Sequence, residues 1–395
     1  MTAPRYAVRA LALSLSLIAV GAFGVGVEVA GIGTDSPAHA AVIAPVGGPQ
    51  LAARGVIVNL GPGVPAPPVM PGASFLVADM DTGQILAAKA PHVRHLPAST
   101  LKALTALTLI PRLDANRQIM VRPGDVAAEG THVGILPGTA YSVRALMQGL
   151  LMASGNDAAY ALARANKSTV ATLAQMNATA ARLGALDTVA GDPSGLDKPG
   201  QSSSVYDLAL IGRAAMKLPD FRRYVATKQV LFPGGRSSNG KVVPAFKITN
   251  HHKLLFNYRG AIGIKNGYTI AAKQTFIGAA RRAGKTYIVT EMASPNGSWR
   301  PTAALLDWAF AHGTALTPIG KLVEPRAAPS SAPTLAAGRL APLQVAGSAP
   351  LQALPALPTL PAPPSGPPWI GVVGLAGAVA VVGAFRLRSL SRQHR

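Results

Sequence analysis

The chain has 395 residues, with 37 lysines and arginines against 16 aspartates and glutamates, a net charge of +21 and no cysteine. The absence of thiols excludes disulfides, thiolate metal sites, a cysteine nucleophile and a lipid-modified N-terminal cysteine. The positive excess favours anionic lipid and anionic polymers, while the lack of any basic run interleaved with aromatics argues against nucleic acid.

In chain order, Arg5 and Arg9 precede an apolar run over 10–27, and Ala38-His39-Ala40 follows. A basic start, an apolar stretch and small residues before a cut predict a secretory signal over 1–40, with an uncleaved anchor as the alternative. Residues 41–72 are rich in Gly, Pro and Val without a lasting period, and read as a flexible segment. One folded unit is expected over 73–320, a comfortable size for a single core. It opens on a hairpin, with strands at 75–78 and 84–87 around a turn at Asp81-Thr82-Gly83. Helices are predicted over 99–110, 142–153 with Ser142 as N-cap, 157–165, 170–183 and 204–216. Strands return at 274–280 and 286–292 around Arg282-Ala283-Gly284, and a last helix over 300–312 buries Leu305, Leu306, Trp308 and Phe310. Strands at both ends with helices between them predict an α+β fold. Its antiparallel sheet is built from the N- and C-terminal segments of the domain, with helices on both faces and a mostly helical insertion.

Beyond the domain, 325–368 shifts to Pro, Ala, Leu and Ser. Such composition tends to polyproline II, and about forty residues at roughly 3.1 Å each make a tether of up to roughly 130 Å. Residues 369–385 form an apolar segment that would span roughly 25 Å as a helix. Arg386, Arg388, Arg392 and Arg395 follow it, so the reading is a single transmembrane span with a basic cytoplasmic tail at 386–395.

Three short motifs carry the chemistry. Ser99 and Lys102 are three apart at a helix start, so they share one face. A serine hydroxyl needs a base, and a lysine can be that base only if burial or a second cation lowers its pKa. Ser154-Gly155-Asn156-Asp157 lies between two helices, where Asp157 can cap the second and the loop presents a hydroxyl and a carboxamide. Lys265-Asn266-Gly267 places a lysine on a strand, with a glycine that permits close approach of backbone to a ligand. Each motif alone is weak. Ser238 to Lys241 repeats the first spacing, Ser237 to Asn239 and Ser294 to Asn296 the second, and Lys198 to Gly200 the third.

Their joint order, Ser-x-x-Lys, Ser-x-Asn, Lys-x-Gly, resembles the low-molecular-weight penicillin-binding D-alanyl-D-alanine carboxypeptidases, serine peptidases of the beta-lactamase/transpeptidase fold. The likeness covers roughly 73–315 and extends to Met176-Asn177, Leu183-Gly184, Gly195-Leu196-Asp197, Thr249-Asn250 and Gly267-Tyr268-Thr269. It implies that Ser99 attacks the carbonyl between the two terminal D-alanines of peptidoglycan stem peptides and that Lys102 takes its proton. Ser154 and Lys265 would return a proton to the leaving D-alanine, and Asn156 would hold the substrate backbone. Lys265, Asn266, Gly267, Tyr268 and Thr269 would line the carboxylate end, with the backbone N–H groups of Ser99 and Tyr268 as the oxyanion hole. It further implies no metal or organic cofactor, covalent inhibition by beta-lactams, and a place on the extracytoplasmic face of a bacterial membrane. The family usually carries threonine or serine where this chain has Asn266, a departure that Thr269 or the amide itself could compensate.

Other readings are a non-catalytic wall-binding homologue, a beta-lactamase, or an endopeptidase or transpeptidase. A class A beta-lactamase would need a Glu-x-x-Leu-Asn setting, which the sequence lacks. Gly278 to Thr286 misses phosphate-loop spacing by one residue, and adjacent His251 and His252 make a poor metal pair and read as solvated or capping residues. Tyr206 and Asp207 read as packing and capping residues.

Overall fold

The computed structural model describes residues 44–326, apart from 238 and 296. The expected signal, the apolar segment at 369–385, the basic tail and nearly all of the Pro/Ala-rich stretch lie outside the described residues. No helix among those described is long and apolar enough to cross a membrane.

Strands β1 (Val56–Val58), β2 (Ser74–Asp79) and β3 (Gln84–Lys89) come first. A single 3-10 turn (Ala98–Leu101) then runs into α1 (Lys102–Leu109), followed by a small ribbon of β4 (Gln118–Met120) and β5 (Ala140–Ser142). The helical part continues with α2 (Val143–Leu151), α3 (Asn156–Ala165), α4 (Thr169–Leu183), α5 (Val205–Ala215) and α6 (Pro219–Ala226). Four short strands, β6 (Gln229–Phe232), β7 (Gly235–Arg236), β8 (Val242–Val243) and β9 (Phe246–Thr249), make two nested pairs, β6 with β9 and β7 with β8. After α7 (Leu254–Asn257) come β10 (Ala261–Thr269), β11 (Lys273–Arg282), β12 (Lys285–Ser294), α8 (Arg300–His312) and β13 (Gly320–Lys321).

The main sheet is antiparallel, in the order β1-β3-β2-β12-β11-β10, with β13 also pairing β3. The domain's two ends therefore meet side by side at β2 and β12, as the α+β reading expects. Both faces are covered. On β2, Leu76 and Ala78 join the core beneath the helical part, while Phe75 and Val77 join the core beneath α8 with Leu305, Leu306 and Trp308. That division follows from the period of two along a strand. Helix starts follow local chemistry: the hydroxyls of Ser142, Ser168 and Ser204 accept from the backbone N–H of Ala145, Ala171 and Asp207. Each such cap contributes about 1 kcal/mol.

Two expectations need correction. The stretch expected as flexible is packed from residue 44 onward: Leu51 and Met70 are buried, β1 pairs with β3, and the Trp308 indole donates to the Pro65 carbonyl. Proline lacks a donor but keeps its acceptor, and the segment covers what would otherwise be an open sheet edge. Asp157 does not cap α3, whose cap position is Gly155. Its carboxylate accepts instead from the N–H groups of Val133 (3.0 Å), Gly134 (2.9 Å) and Ile135 (3.2 Å), besides its neighbour Ala158. One buried charge thus fixes the loop that runs past the site.

Candidate active site

The nucleophile candidate sits on the 3-10 turn before α1, not within the α-helix itself. In a 3-10 turn residues i and i+3 eclipse, which aligns Ser99 and Lys102 more directly than an α-helix would. Lys102 Nζ lies 2.8 Å from Ser99 Oγ. The turn is held in a costly shape: Ala98 has φ +47°, a left-handed conformation that L-residues avoid by roughly 1–2 kcal/mol. Its supports are specific. The Pro97 carbonyl accepts from the hydroxyls of Thr100 (2.5 Å) and Thr275 (2.8 Å), tying the turn to β11. Gly195, with φ +84°, lets the loop after residue 192 press on the turn, because a Cβ there would stand 2.0 Å from the Ala98 carbonyl oxygen.

Lys102 is fully buried and has three neighbours at its Nζ. Besides Ser99, Nζ donates to Asn156 Oδ1 (2.7 Å) and to the Ser194 carbonyl (2.7 Å). The last two are pure acceptors. A neutral amine has two N–H bonds for those two oxygens, which leaves its lone pair facing the one neighbour able to donate, the Ser99 hydroxyl. Burial holds the Lys102 pKa well below its usual value, and the charge of Lys265 lowers it further, against an opposing pull from Asp192 and Asp157. Burial alone brings Lys265 to about 7. Its Nζ donates to the Asn266 carbonyl at 2.7 Å.

Gly267 marks where β10 meets the nucleophile. A Cβ there would lie 2.6 Å from the Ser99 nitrogen and 2.9 Å from the Thr100 nitrogen, so the glycine admits the serine's own backbone. The space that the Lys-x-Gly motif suggests for a ligand is thus taken by the nucleophile turn.

Other expected residues are placed less simply. Ser154 is buried in the loop between α2 and α3 with φ +60°, and its hydroxyl is not hydrogen-bonded to Ser99, Lys102 or Lys265. Asn156 has both ends engaged by protein, Oδ1 by Lys102 and Nδ2 by the Glu129 carbonyl at 2.5 Å. Thr269 does not supplement Asn266, because its hydroxyl donates to Asp197 (3.1 Å) and accepts from the Ala272 N–H (2.9 Å). The Asn266 carboxamide is half-buried and makes no protein hydrogen bond among the described residues. Tyr268 is exposed at the rim. Beside the site a cavity of about 620 Å³ is bordered by Glu129, Tyr160, Leu196, Asp197 and Thr269.

His252, read as solvated or capping, is buried instead. Its Nε2 bonds to the Ile277 carbonyl at 3.1 Å, and burial followed by the Lys265 charge drives its pKa down to about 3. Tyr206 is packed as expected, and the Asp207 carboxylate ties the Asp187 N–H and the Thr188 hydroxyl. Among the described residues, no group of three or more His, Asp or Glu side chains could hold a metal ion.

Sequence reasoning missed the loop Asp192-Pro193-Ser194. Asp192 Oδ1 accepts from the N–H and hydroxyl of Ser194, and Oδ2 accepts from the Tyr160 hydroxyl at 2.5 Å. That aims the Ser194 carbonyl at Lys102. An Asp-Pro-Ser-Gly string signals a turn, but nothing in it names a lysine 92 positions away.

A family model described as D-alanyl-D-alanine carboxypeptidase (Peptidase_S11) matches residues 64–296. The D-alanyl-D-alanine carboxypeptidase DacB2 of Mycobacterium tuberculosis is 44% identical over 248 residues, covering 61% of this chain and 83% of that protein. A crystal structure of a D-alanyl-D-alanine carboxypeptidase from M. tuberculosis superposes with a TM-score of 0.60 at 41% identity, over 67% of this chain and 99% of that one. The Streptomyces K15 DD-transpeptidase superposes with a TM-score of 0.59 at 29% identity, over 62% and 100%.

Proposed function

The chain belongs to the D-alanyl-D-alanine carboxypeptidase family and is a serine-type enzyme of that activity; from this premise we propose how its own residues divide the work. Ser99 Oγ bonds to the carbonyl carbon of the penultimate D-alanine as its proton passes to Lys102 Nζ. Negative charge builds on the carbonyl oxygen and is met by the N–H groups of Ser99 and Tyr268. The carbon–nitrogen bond then breaks, and the proton returns to the departing amine of D-alanine by way of Ser154. Water attacks the resulting ester with Lys102 again as base, freeing Ser99 and the shortened peptide.

The observation that carries this reading is the Lys102 amine, buried, with its two N–H bonds taken by two carbonyl-type acceptors and the Ser99 hydroxyl as its third neighbour at 2.8 Å. Lys265 and the unengaged amide of Asn266 would receive the substrate carboxylate. Asn156 orients Lys102, and would reach the substrate backbone only by giving up its bond to Glu129. Thr269 serves the rim through Asp197. A beta-lactam would acylate the same serine.

The basic and apolar start of the sequence and the apolar segment followed by four arginines support export and anchoring at the extracytoplasmic face of the membrane, with the C-terminus inside. The test is D-alanine release from a pentapeptide by the full chain and by Ser99→Ala and Lys102→Ala. Both variants should lose release and covalent labelling by a fluorescent penicillin. Activity surviving in either would reject the assignment.

A further inference from the structure

At the end of β10 remote from the catalytic residues lies a second cavity, of about 630 Å³. Ile262 in its wall precedes Lys265 by three positions and Gly267 by five, which at about 3.4 Å per residue sets the cavity roughly 10 Å from the first and roughly 17 Å from the second. Four cations border it, Arg213, Lys217, Arg222 and Arg281, against two carboxylates, Asp81 and Glu324.

The cations are not equally free. Arg213 is buried and donates to the Met80 carbonyl and Glu324 Oε1, each at 2.7 Å. Arg222 donates to the carbonyls of Met216 (2.8 Å) and Lys217 (3.0 Å). Among the described residues Lys217 has only Glu324, at 3.4 Å, and the exposed Arg281 guanidinium makes no side-chain hydrogen bond. Glu324 already seats an anion against Arg213 and Lys217. Among the described residues the uncharged wall is Met80, Met216, Ala226, Ile262 and Thr286, without an aromatic ring on which a base or sugar could stack. A small, strongly accepting anion attached to an apolar body fits that lining.

We propose that this cavity binds a phosphate group carried on an apolar molecule, the headgroup end of an anionic phospholipid, with Lys217 and Arg281 as its receiving cations and Glu324 as an internal competitor. A phosphodiester offers oxygens that an arginine fork and an ammonium can share, while the wall accepts the first carbons beyond the headgroup. The site stands apart from the catalytic groups, so it does not depend on which residues perform the hydrolysis.

The test titrates the full chain, held in a neutral maltoside detergent, with short-chain phosphatidylglycerol, short-chain phosphatidylcholine and inorganic phosphate, reading phosphorus line broadening. Phosphatidylglycerol should bind at least about tenfold more tightly than the zwitterionic lipid, with inorganic phosphate between them. The Lys217→Gln/Arg281→Gln double variant should lose about tenfold in phosphatidylglycerol affinity, and Glu324→Gln should gain about threefold. All should keep wild-type D-alanine release, which shows that the variants are folded. Unchanged binding in the double variant, or equal binding of the two lipids, would overturn the proposal. Inorganic phosphate binding as tightly as phosphatidylglycerol would overturn the lipid assignment and leave a free anion as the occupant.

Discussion

Replacing Gly267 with alanine tests the contact between β10 and the nucleophile turn with a single methyl group. The added Cβ would meet the Ser99 nitrogen and the Thr275 hydroxyl at 2.6 Å, whereas ordinary contact begins near 3.4 Å, so about 0.8 Å must be found. None of the neighbours yields easily. Two are backbone atoms of the nucleophile turn, and the Thr275 hydroxyl is held on the Pro97 carbonyl. The strand must therefore move away from Ser99. A displacement near 1 Å in a reacting geometry costs about a hundredfold, and loss of an oxyanion donor about a hundred- to a thousandfold. Acylation by a fluorescent penicillin, followed in a stopped-flow instrument, should fall by about a hundred- to a thousandfold in Gly267→Ala, and D-alanine release with it. Overpacking should cost about 1–3 kcal/mol, seen as a melting temperature lower by several degrees. A folded variant that acylates within threefold of wild type would refute the reasoning.

Lys265→Met should act on both stability and catalysis. Lys265 titrates at about 7 in the fold against about 10.4 in an unfolded chain, so between those values the unfolded state holds the extra proton and wild-type stability rises with pH. Denaturant titrations should show wild type gaining on Lys265→Met by a few kcal/mol from about pH 7 to 10. The Lys265 charge also depresses Lys102, so its removal should move the ascending limb of the acylation–pH profile to higher pH. Asp157→Asn should destabilise by about 2–3 kcal/mol in urea unfolding, because its buried carboxylate accepts from three N–H groups of the passing loop. Asn266→Thr should leave acylation by penicillin within about fivefold, since either side chain can offer the substrate carboxylate one hydrogen bond; a larger change would show that the amide works differently.

Local chemistry decided much of this protein from the sequence alone. The capping serine at 142, the hairpin at Asp81-Thr82-Gly83 and the strand pair about Ala283-Gly284 each depend on neighbours within a few residues, so their signals are complete in one dimension. The order of Ser99-x-x-Lys102, Ser154-x-Asn156 and Lys265-x-Gly267 likewise survives as a pattern in the chain. What only the tertiary structure decided is which atoms those groups face. Gly267 admits the serine's backbone, Asn156 is spent on Lys102 and Glu129, and Asp157 holds a loop more than twenty positions earlier. The burial that strips Lys102 and Lys265 of water comes from strands and helices far apart in sequence, and so does the packing of residues 44–72 on the sheet. Desolvation and close approach are properties of assembled surfaces. A residue's type and spacing state what it can donate or accept, but not which partner remains once water has been excluded.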